Sequence, residues 1–397
     1  MLVPGHRLGI VVKADGYGHG LVASAHAALL GGADLLCVAT LDEGLVLRSA
    51  GLSIPILILY PVPPGRLVDA NRHDLDIVVI DQQGAREVAA FAGLRSGVPR
   101  RRPLRVHLGV ETGMHRGGLH PEYVAAAARL LHSSGATVVG TWSHLADAED
   151  PAAVDAQVAR FELALESLRR AGIDPGLRHL AASGGFLSER CPAYEIVRVG
   201  LAFFGVMPWS SELTRRARDV MDLLQAALSL KAEAVSVSEV AVGERVGYGG
   251  EWEAARRSLI AVLPLGYADG WTRAYWPGGV GLVRGIRVPL VGRVSSDAVA
   301  VDVTDAAPIQ ADDDFVLIGQ QAEDMIEVSA LAARRGSIVQ EVLMGLAPRL
   351  PRLYTWGGDL VAARYADGEL VMTPAFSARV ARTSPASPRP QHEGLVG

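Results

Sequence analysis

The feature that most constrains this chain is a change of rhythm partway along it. From residue 8 to about 205, short apolar runs alternate with helix-like stretches. The runs are "LGIVVK" 8–13, "DLLCVAT" 34–40, "PILILY" 55–60, "DIVVI" 76–80, "LRVHLGVE" 104–111, "TVVGTWSH" 137–144, "LRHLAAS" 177–183 and "YEIVRVG" 194–200. They are mostly continuous apolar runs, as parallel strands covered on both faces must be. Between them the clearest helix is expected over 152–171, where Val154, Val158, Phe161, Leu165 and Leu168 share one face and Gly172 follows as a stop. Eight such strands with intervening helices predict an α/β fold of the (β/α)8 TIM-barrel type. The competing open doubly wound sheet would need a G-x-G-x-x-G turn after the first strand, and none is there.

After about residue 220 the runs shorten and glycine turns separate them, as in "LKAEAVSVSEV", "RVGYGG", "SLIAVLPLG", "VGLVRG", "VPLVGRV", "AVAVDVT" and "DDFVLIG". This texture predicts a second, all-β domain. The expected division is a barrel over 1–215, a hinge within 206–220, a β domain over 216–376 and a disordered Pro/Ser/Arg-rich tail over 377–397. A net charge of −5 and the lack of a long basic run argue against nucleic acid as a partner, the "RRR" at 100–102 reading as a solvated loop. Cys37 and Cys191 are too few for a disulfide framework, and no leader or apolar span of membrane length is found, so a cytoplasmic protein is expected. No metal site is expected.

The chemistry gathers first in "VVKADGYGHG", 11–20. Lys13 would end the first barrel strand at the rim where barrel enzymes place reactive groups. A lysine in a partly desolvated pocket has a less basic amine and can condense with an aldehyde cofactor; alone, it could equally reach out to solvent. Gly16, Gly18 and Gly20 permit close backbone approach, and Tyr17 adds a hydroxyl four residues from the lysine.

This motif resembles the cofactor-lysine motif of the alanine racemases, fold-type III enzymes dependent on pyridoxal 5'-phosphate (PLP). Other landmarks of that family follow in order: "VETGMHRGGL" 110–119, "SHLADAED" 143–150, "AASGGF" 181–186, "RVGLAFFG" 198–205, "VGERVGYGGEW" 242–252, "LPLGYADGWTR" 263–273, "VGRVSSDAVAVDVTD" 291–305 and "LAPRLPRLY" 346–354. The resemblance covers roughly residues 8 to 360. It implies that Lys13 carries PLP and is one of two bases. It implies that Tyr267, in "GYADG", is the second base and enters from the partner subunit of a homodimer. Removing a proton from one face of the α-carbon and returning one to the other requires two opposed groups. A tyrosine base requires nearby positive charge, which the family supplies through a histidine and an arginine, here His144 and Arg198. Arg198 matches the partner of the PLP pyridine nitrogen; remaining protonated, it keeps that nitrogen unprotonated and weakens the electron sink. Tyr17, Ser183 and the N–H groups of Gly200 and Leu201 match phosphate ligands, although Ser183 taken singly could equally be a helix cap. Arg116 matches an arginine at the substrate carboxylate, and Ser296 lies beside it in the implied substrate site.

Three positions depart from the family pattern. Gly109 stands where family members often carry a carbamylated lysine that holds the arginine, so Arg116 must be oriented otherwise, by chloride or water. Ser295 and Ser296 stand where Cys-Met is common before the aspartate, here Asp297, which opens the substrate preference to serine or another small amino acid. Lys13 follows a shorter lead-in than usual, so either the start is truncated or the β domain closes differently. The expected activity is racemisation of alanine. A fold-type III decarboxylase or aldolase and a non-catalytic PLP carrier are the alternatives. The decarboxylases use a cysteine on the β domain, where this chain has none. A lone-barrel carrier would lack both that domain and Tyr267.

Overall fold

A computed structural model describes residues 5–94, 102–207, 214–310 and 312–383. Eight parallel strands form the first region: β1 (Arg7–Val11), β2 (Leu35–Val38), β3 (Ile56–Ile58), β4 (Ile77–Val79), β5 (Arg105–Gly109), β6 (Thr137–Trp142), β7 (Leu177–His179) and β8 (Ile196–Val199). They pair in the orders β3-β2-β1-β8 and β4-β5-β6-β7. A bridge between Leu57 and Asp76 joins β3 to β4, and the Glu195 N–H donates to the Arg178 carbonyl across the other seam, so the sheet closes into a (β/α)8 barrel. Strands β2, β3 and β4 are buried at every position, which is why they read as unbroken apolar runs. Each expected strand is present but shorter. The residues shed after β6, β7 and β8 include His144, Ser183 and Gly200 at the rim.

The helix expected over 152–171 spans Pro151–Arg170. Val154, Phe161, Leu165 and Leu168 are fully buried, and Val158 packs on the same core. Asp150 accepts the Ala152 N–H and caps its start. Of the expected hinge, residues 208–213 lie outside the described residues and Arg215–Met221 form a helix.

The second region is an antiparallel β domain. In it β9 (Leu230–Ala232), β10 (Ser236–Val240), β11 (Arg245–Val246), β12 (Trp252–Glu253), β13 (Ser258–Leu263), β14 (Val280–Val283), β15 (Ile286–Val291), β16 (Val299–Asp302), β17 (Phe315–Gln321) and β18 (Asp324–Ile326) follow one another. The main sheet runs β10-β13-β16-β15-β14-β17-β18, with β9 paired to β17. "LKAEAVSVSEV" is therefore two strands, not one, its halves lying against β17 and β13. The domain also carries helices Val328–Arg335 and Val339–Met344 and a separate sheet of β19 (Arg352–Trp356), β20 (Asp359–Arg364) and β21 (Leu370–Met372). Residues 377–383, placed in the tail by composition, continue a helix, Pro374–Thr383; the rest of that tail lies outside the described residues. Among the described residues no helix is long and apolar enough to cross a membrane.

The two regions meet at the lysine turn. Arg352 donates to the Gly18 carbonyl at 3.3 Å and Arg364 pairs with Asp15 at 2.6 Å. A Cβ on Gly18 would lie 2.1 Å from the Leu343 carbonyl oxygen, and one on Gly20 the same distance from the Tyr354 hydroxyl. Both glycines also hold positive φ (82° and 102°). Gly18 and Gly20 therefore let the turn seat on the β domain, a role different from approach to a ligand.

Candidate active site

Lys13 follows β1 and opens a turn in which Ala14, Asp15 and Tyr17 all hold positive φ. Such backbone costs energy for residues other than glycine, and its polar partners hold it in place. The Glu43 carboxylate accepts the Ala14 N–H at 2.7 Å, and its other oxygen accepts from Ala39 and Thr40 as part of a capping box. Asp15 accepts the Leu21 N–H at 2.9 Å. The cap of the second strand–helix unit, β2 and the helix Leu41–Ser49, thus fixes where the lysine stands.

A cavity of about 580 Å³ opens at this rim. It is lined by Lys13, Tyr17, His144 and Arg198 together with Ser183, Gly200, Leu201 and Arg116. Eight of the ten expected site residues are thereby gathered from the turn after β1, from β8 and the turn after it, and from the loops after β5, β6 and β7. Tyr267 and Ser296 do not line it. They sit together on the β domain, where the Tyr267 N–H donates to the Ser295 carbonyl and the Ala268 N–H to that of Ser296, each at 2.9 Å. Arg349 clasps this turn, pairing with buried Asp269 at 2.6 Å and with Asp297 at 2.6 Å, while Ser296 donates to Asp297. The Tyr267 side chain itself is 52% exposed.

Arg198 is a deeply buried charge, with 2% exposure. Its Nη1 donates to the Nδ1 and carbonyl oxygen of His179, at 2.9 and 3.0 Å. Its Nη2 donates to the Ser143 carbonyl at 2.7 Å, to His144 Nδ1 at 3.2 Å and to the Leu180 carbonyl at 3.3 Å. The guanidinium also lies over the Trp142 ring, 5.2 Å from its centroid. An arginine has no lone pair to give, so His144 Nδ1 must be the acceptor and its Nε2 carries the proton. Burial, and then the charges of Arg198, Arg116 and Lys13, push the His144 imidazole down to about 3, so it stays neutral at physiological pH. Burial lowers Arg198 to about 10, still protonated at neutrality. The Lys13 amine is made less basic by burial and then by Arg116 and Arg198, with Glu43 opposing.

The opposite wall suits a phosphate. The Tyr17 hydroxyl is pushed up to about 12 by burial and remains a donor. A Cβ on Gly200 would lie 2.8 Å from that hydroxyl, so only glycine lets the tyrosine and this backbone come together. Ser183 accepts the Gly200 N–H at 3.0 Å and makes no helix-cap bond, while the Leu201 N–H begins the turn Leu201–Phe204. Arg116 is exposed at the mouth and makes no ion pair among the described residues. In the space a lysine at Gly109 would need, a Cβ would meet Ile80 Cγ2 at 2.9 Å and Trp142 Nε1 at 3.2 Å.

Sequence reasoning missed the residues that brace this site. Gln157 donates to the Thr112 hydroxyl at 2.9 Å and to the His144 carbonyl at 3.0 Å, and accepts the Ala146 N–H at 2.8 Å. Its signal was a polar residue on the apolar face of the helix Pro151–Arg170. Trp142, His179, His107 and Asp76 stood inside strand runs where polarity had no pattern to mark it.

Known proteins match this arrangement. Family models for the alanine racemase N-terminal domain and the alanine racemase C-terminal domain match residues 1–208 and 227–354. An alanine racemase of Symbiobacterium thermophilum is 38% identical, the match covering 89% of this chain and 91% of that protein. One of Salinispora tropica is 36% identical, over 87% and 91%. Among solved structures, the alanine racemase of Bacillus anthracis with bound L-Ala-P superposes with a TM-score of 0.82 at 29% identity, covering 94% of this chain and 92% of that one. That of E. faecalis does so at 0.81 with 33% identity, over 89% and 92%.

Proposed function

The chain belongs to the alanine racemase family, and from that premise we propose that it interconverts L- and D-alanine by a two-base mechanism in the cytoplasm, as a homodimer that holds PLP on Lys13. One observation carries the reading: the reduced-basicity amine of Lys13 and the buried guanidinium of Arg198 line the same cavity as a Tyr17–Ser183–Leu201 wall that suits a phosphate.

PLP, when bound, supplies the sink that acidifies the α-hydrogen of the amino acid. The protein's residues do the rest. Tyr17, Ser183 and the Leu201 N–H would hold the phosphate at one end of the cavity, with the Gly200 N–H orienting the Ser183 hydroxyl. Arg198, always protonated and lacking any acceptor, donates toward the pyridine nitrogen and keeps it from being protonated. Its other donors are fully used on carbonyls and imidazoles, so it does not swing away. Lys13 exchanges a proton with one face of the α-carbon. The partner subunit's Tyr267 exchanges one with the other, which accounts for a tyrosine half exposed on its own protomer. His144, with its proton on Nε2, can donate toward that phenolic oxygen while Arg198 anchors its Nδ1, so positive charge reaches the tyrosine through one imidazole. Arg116, at the mouth, takes the substrate carboxylate, and the partner subunit's Ser296, arriving with that Tyr267, flanks it.

The test is to load the purified protein with PLP and follow loss of optical activity from each enantiomer of alanine, with serine in parallel. Interconversion in both directions, lost in Lys13→Ala, is expected. Bound PLP with no exchange of the α-hydrogen of either amino acid would remove the proposal.

A further inference from the structure

A polar row runs across the barrel interior from Arg198 away from the cavity, and the reaction above uses none of its other members. It begins at Arg198 in β8, whose Nη1 donates to His179 Nδ1 at the end of β7. His179 Nε2 lies 2.9 Å from His107 Nδ1 in β5. His107 Nε2 faces Asp76 Oδ2, at the start of β4, across 3.7 Å. Asp76 is gripped by Arg105 at 2.6 and 3.2 Å. His107, His179, Asp76 and Arg198 are all buried. Barrel interiors are ordinarily filled by branched apolar side chains, and buried polar rows persist only when every member is satisfied.

The backbone is shaped for this row. β6 carries a register shift beside it, so that His107 lies opposite Gly140. A Cβ at Gly140 would lie 2.2 Å from His107 Nδ1. The imidazole therefore needs both the irregularity and the glycine.

Donor logic then sets every proton. Arg198 can only donate, so His179 Nδ1 must carry a lone pair and Nε2 the proton. His179 Nε2–H donates to His107 Nδ1, which must be unprotonated, and so His107 carries its proton on Nε2, toward the Asp76 carboxylate. Burial works against a charge on Asp76, but the His107 imidazole and the Arg105 guanidinium outweigh it and hold the carboxyl down to about 2. Reversing His179 would set an N–H against the Arg198 N–H. Among the described residues no carboxylate touches Arg198, so the polarity of this row is what the barrel offers that guanidinium on its inner side.

We infer that His107 and Asp76 are positioning residues for the racemase reaction: through the tautomer of His179 they hold Arg198 in place. This rests on the reading of Arg198 as the pyridine-nitrogen partner. It predicts a particular failure. If Arg198 is released, the nitrogen can be protonated, the sink deepens, and the amino group of alanine is more often left on the cofactor while pyruvate departs.

Two experiments test this. The first uses protein without cofactor, with 15N-labelled histidine, and His179→Gln to assign the signals. His179 should show an unprotonated Nδ1 and a protonated Nε2, unchanged between pH 6 and 9. A proton on Nδ1 overturns the inference, whatever the protein catalyses. The second uses the PLP-loaded enzyme. His107→Leu should lower kcat about tenfold or more, leave the KM for alanine within about threefold, and raise pyruvate formed per racemisation about tenfold. His107→Asn, whose amide oxygen can accept from His179 Nε2, should recover most of both. Wild-type kcat and pyruvate yield in His107→Leu would overturn it, as would His107→Asn behaving like the leucine variant. Should His107→Leu not fold, the asparagine variant and the tautomer measurement decide. A wild-type protein that binds no PLP defeats the functional reading and leaves the tautomer result standing.

Discussion

The two sides of this site are built in opposite ways. The barrel side is finished within one chain: Arg198 is buried, five acceptors take its donors, and His144 is neutral with one nitrogen spoken for. The β-domain side is a hydrogen-bonded turn that displays an unburied residue, Tyr267, above a clasp of half-exposed Arg349 with buried Asp269 and exposed Asp297. Burial and full hydrogen bonding suit groups that must hold a cofactor and keep a fixed charge. A surface turn suits a base that completes another subunit's site. Under the proposed function, the difference assigns cofactor binding to the monomer and racemisation to the assembly.

The sharpest way to break that comparison is to disable each side alone. Lys13→Ala should abolish racemisation and any borohydride-reducible link to the cofactor. Tyr267→Phe should keep the link and lose about 10²–10⁴-fold in kcat, the usual span for one acid–base group. Mixing the two inactive proteins should restore activity, because one site of each hybrid dimer keeps both bases. Full activity in a monomer, measured by sedimentation at assay concentration, would show that Tyr267 serves its own chain.

Acid should separate the two sides next. His144 titrates near 3 in the folded protein and near 6.5 when unfolded, so below pH 6.5 the unfolded chain binds the extra proton and stability falls as pH drops toward 3. His179 acts in the same direction. Between pH 7 and 4.5 this amounts to about 2–3 kcal/mol from His144 alone. Asp76, at about 2 against about 3.9 unfolded, holds its contribution until pH falls below 4 and loses it toward pH 2. On the β-domain side, Asp297 is exposed, so its pairing with Arg349 is screened and should add little. Urea unfolding at both pH values checks this. His144→Gln should flatten the dependence, whereas Arg349→Lys should not; a wild-type stability flat from pH 7 to 4.5 would mean that the histidines are not held neutral.

The barrel side was also the more legible in sequence. All eight barrel strands were marked, because burial on both faces leaves unbroken apolar runs, and the face of the helix Pro151–Arg170 was marked because 3.6-residue spacing survives in any buried helix. Lys13, His144 and Arg198 could be placed through motif resemblance, since each sits where a strand gives way to a rim loop or within β8. The β domain was coarser. Residues 230–240 hid a break between two strands, and β19–β21 were not anticipated, because half-exposed strands alternate weakly and their burial depends on distant partners. The His179–His107–Asp76 row could not be read at all. Its members lie on β5 and β7 and just before β4, and pairing across a barrel leaves no trace in local spacing.

The smallest expected effect concerns how tightly the barrel side is packed, at Gly109. A side chain there starts from a Cβ 2.9 Å from a branched methyl of Ile80 and 3.2 Å from Trp142 Nε1, a buried N–H without a partner among the described residues. Ile80 Cγ2 cannot rotate away as a long side chain's end could, so Gly109→Ala should cost about 1–3 kcal/mol through overpacking. Gly109→Lys should cost about as much, since its first carbon meets the same atoms. Ile80→Ala removes the obstructing methyl, so in that background the Gly109→Ala penalty should shrink by about 1 kcal/mol, a coupling that a double-mutant cycle of urea unfolding can resolve. Additive effects would mean that strain at Gly109 lies elsewhere, against the indole or in the strand. The same variants bear on Arg116, which no lysine holds here. If a lysine at 109 reaches the mouth once Ile80 is trimmed, and carbon dioxide converts it to a carbamate, the new anion can pair with Arg116 and accept from the Trp142 N–H. The KM for alanine should then fall in bicarbonate for Gly109→Lys with Ile80→Ala, and not for Ile80→Ala alone.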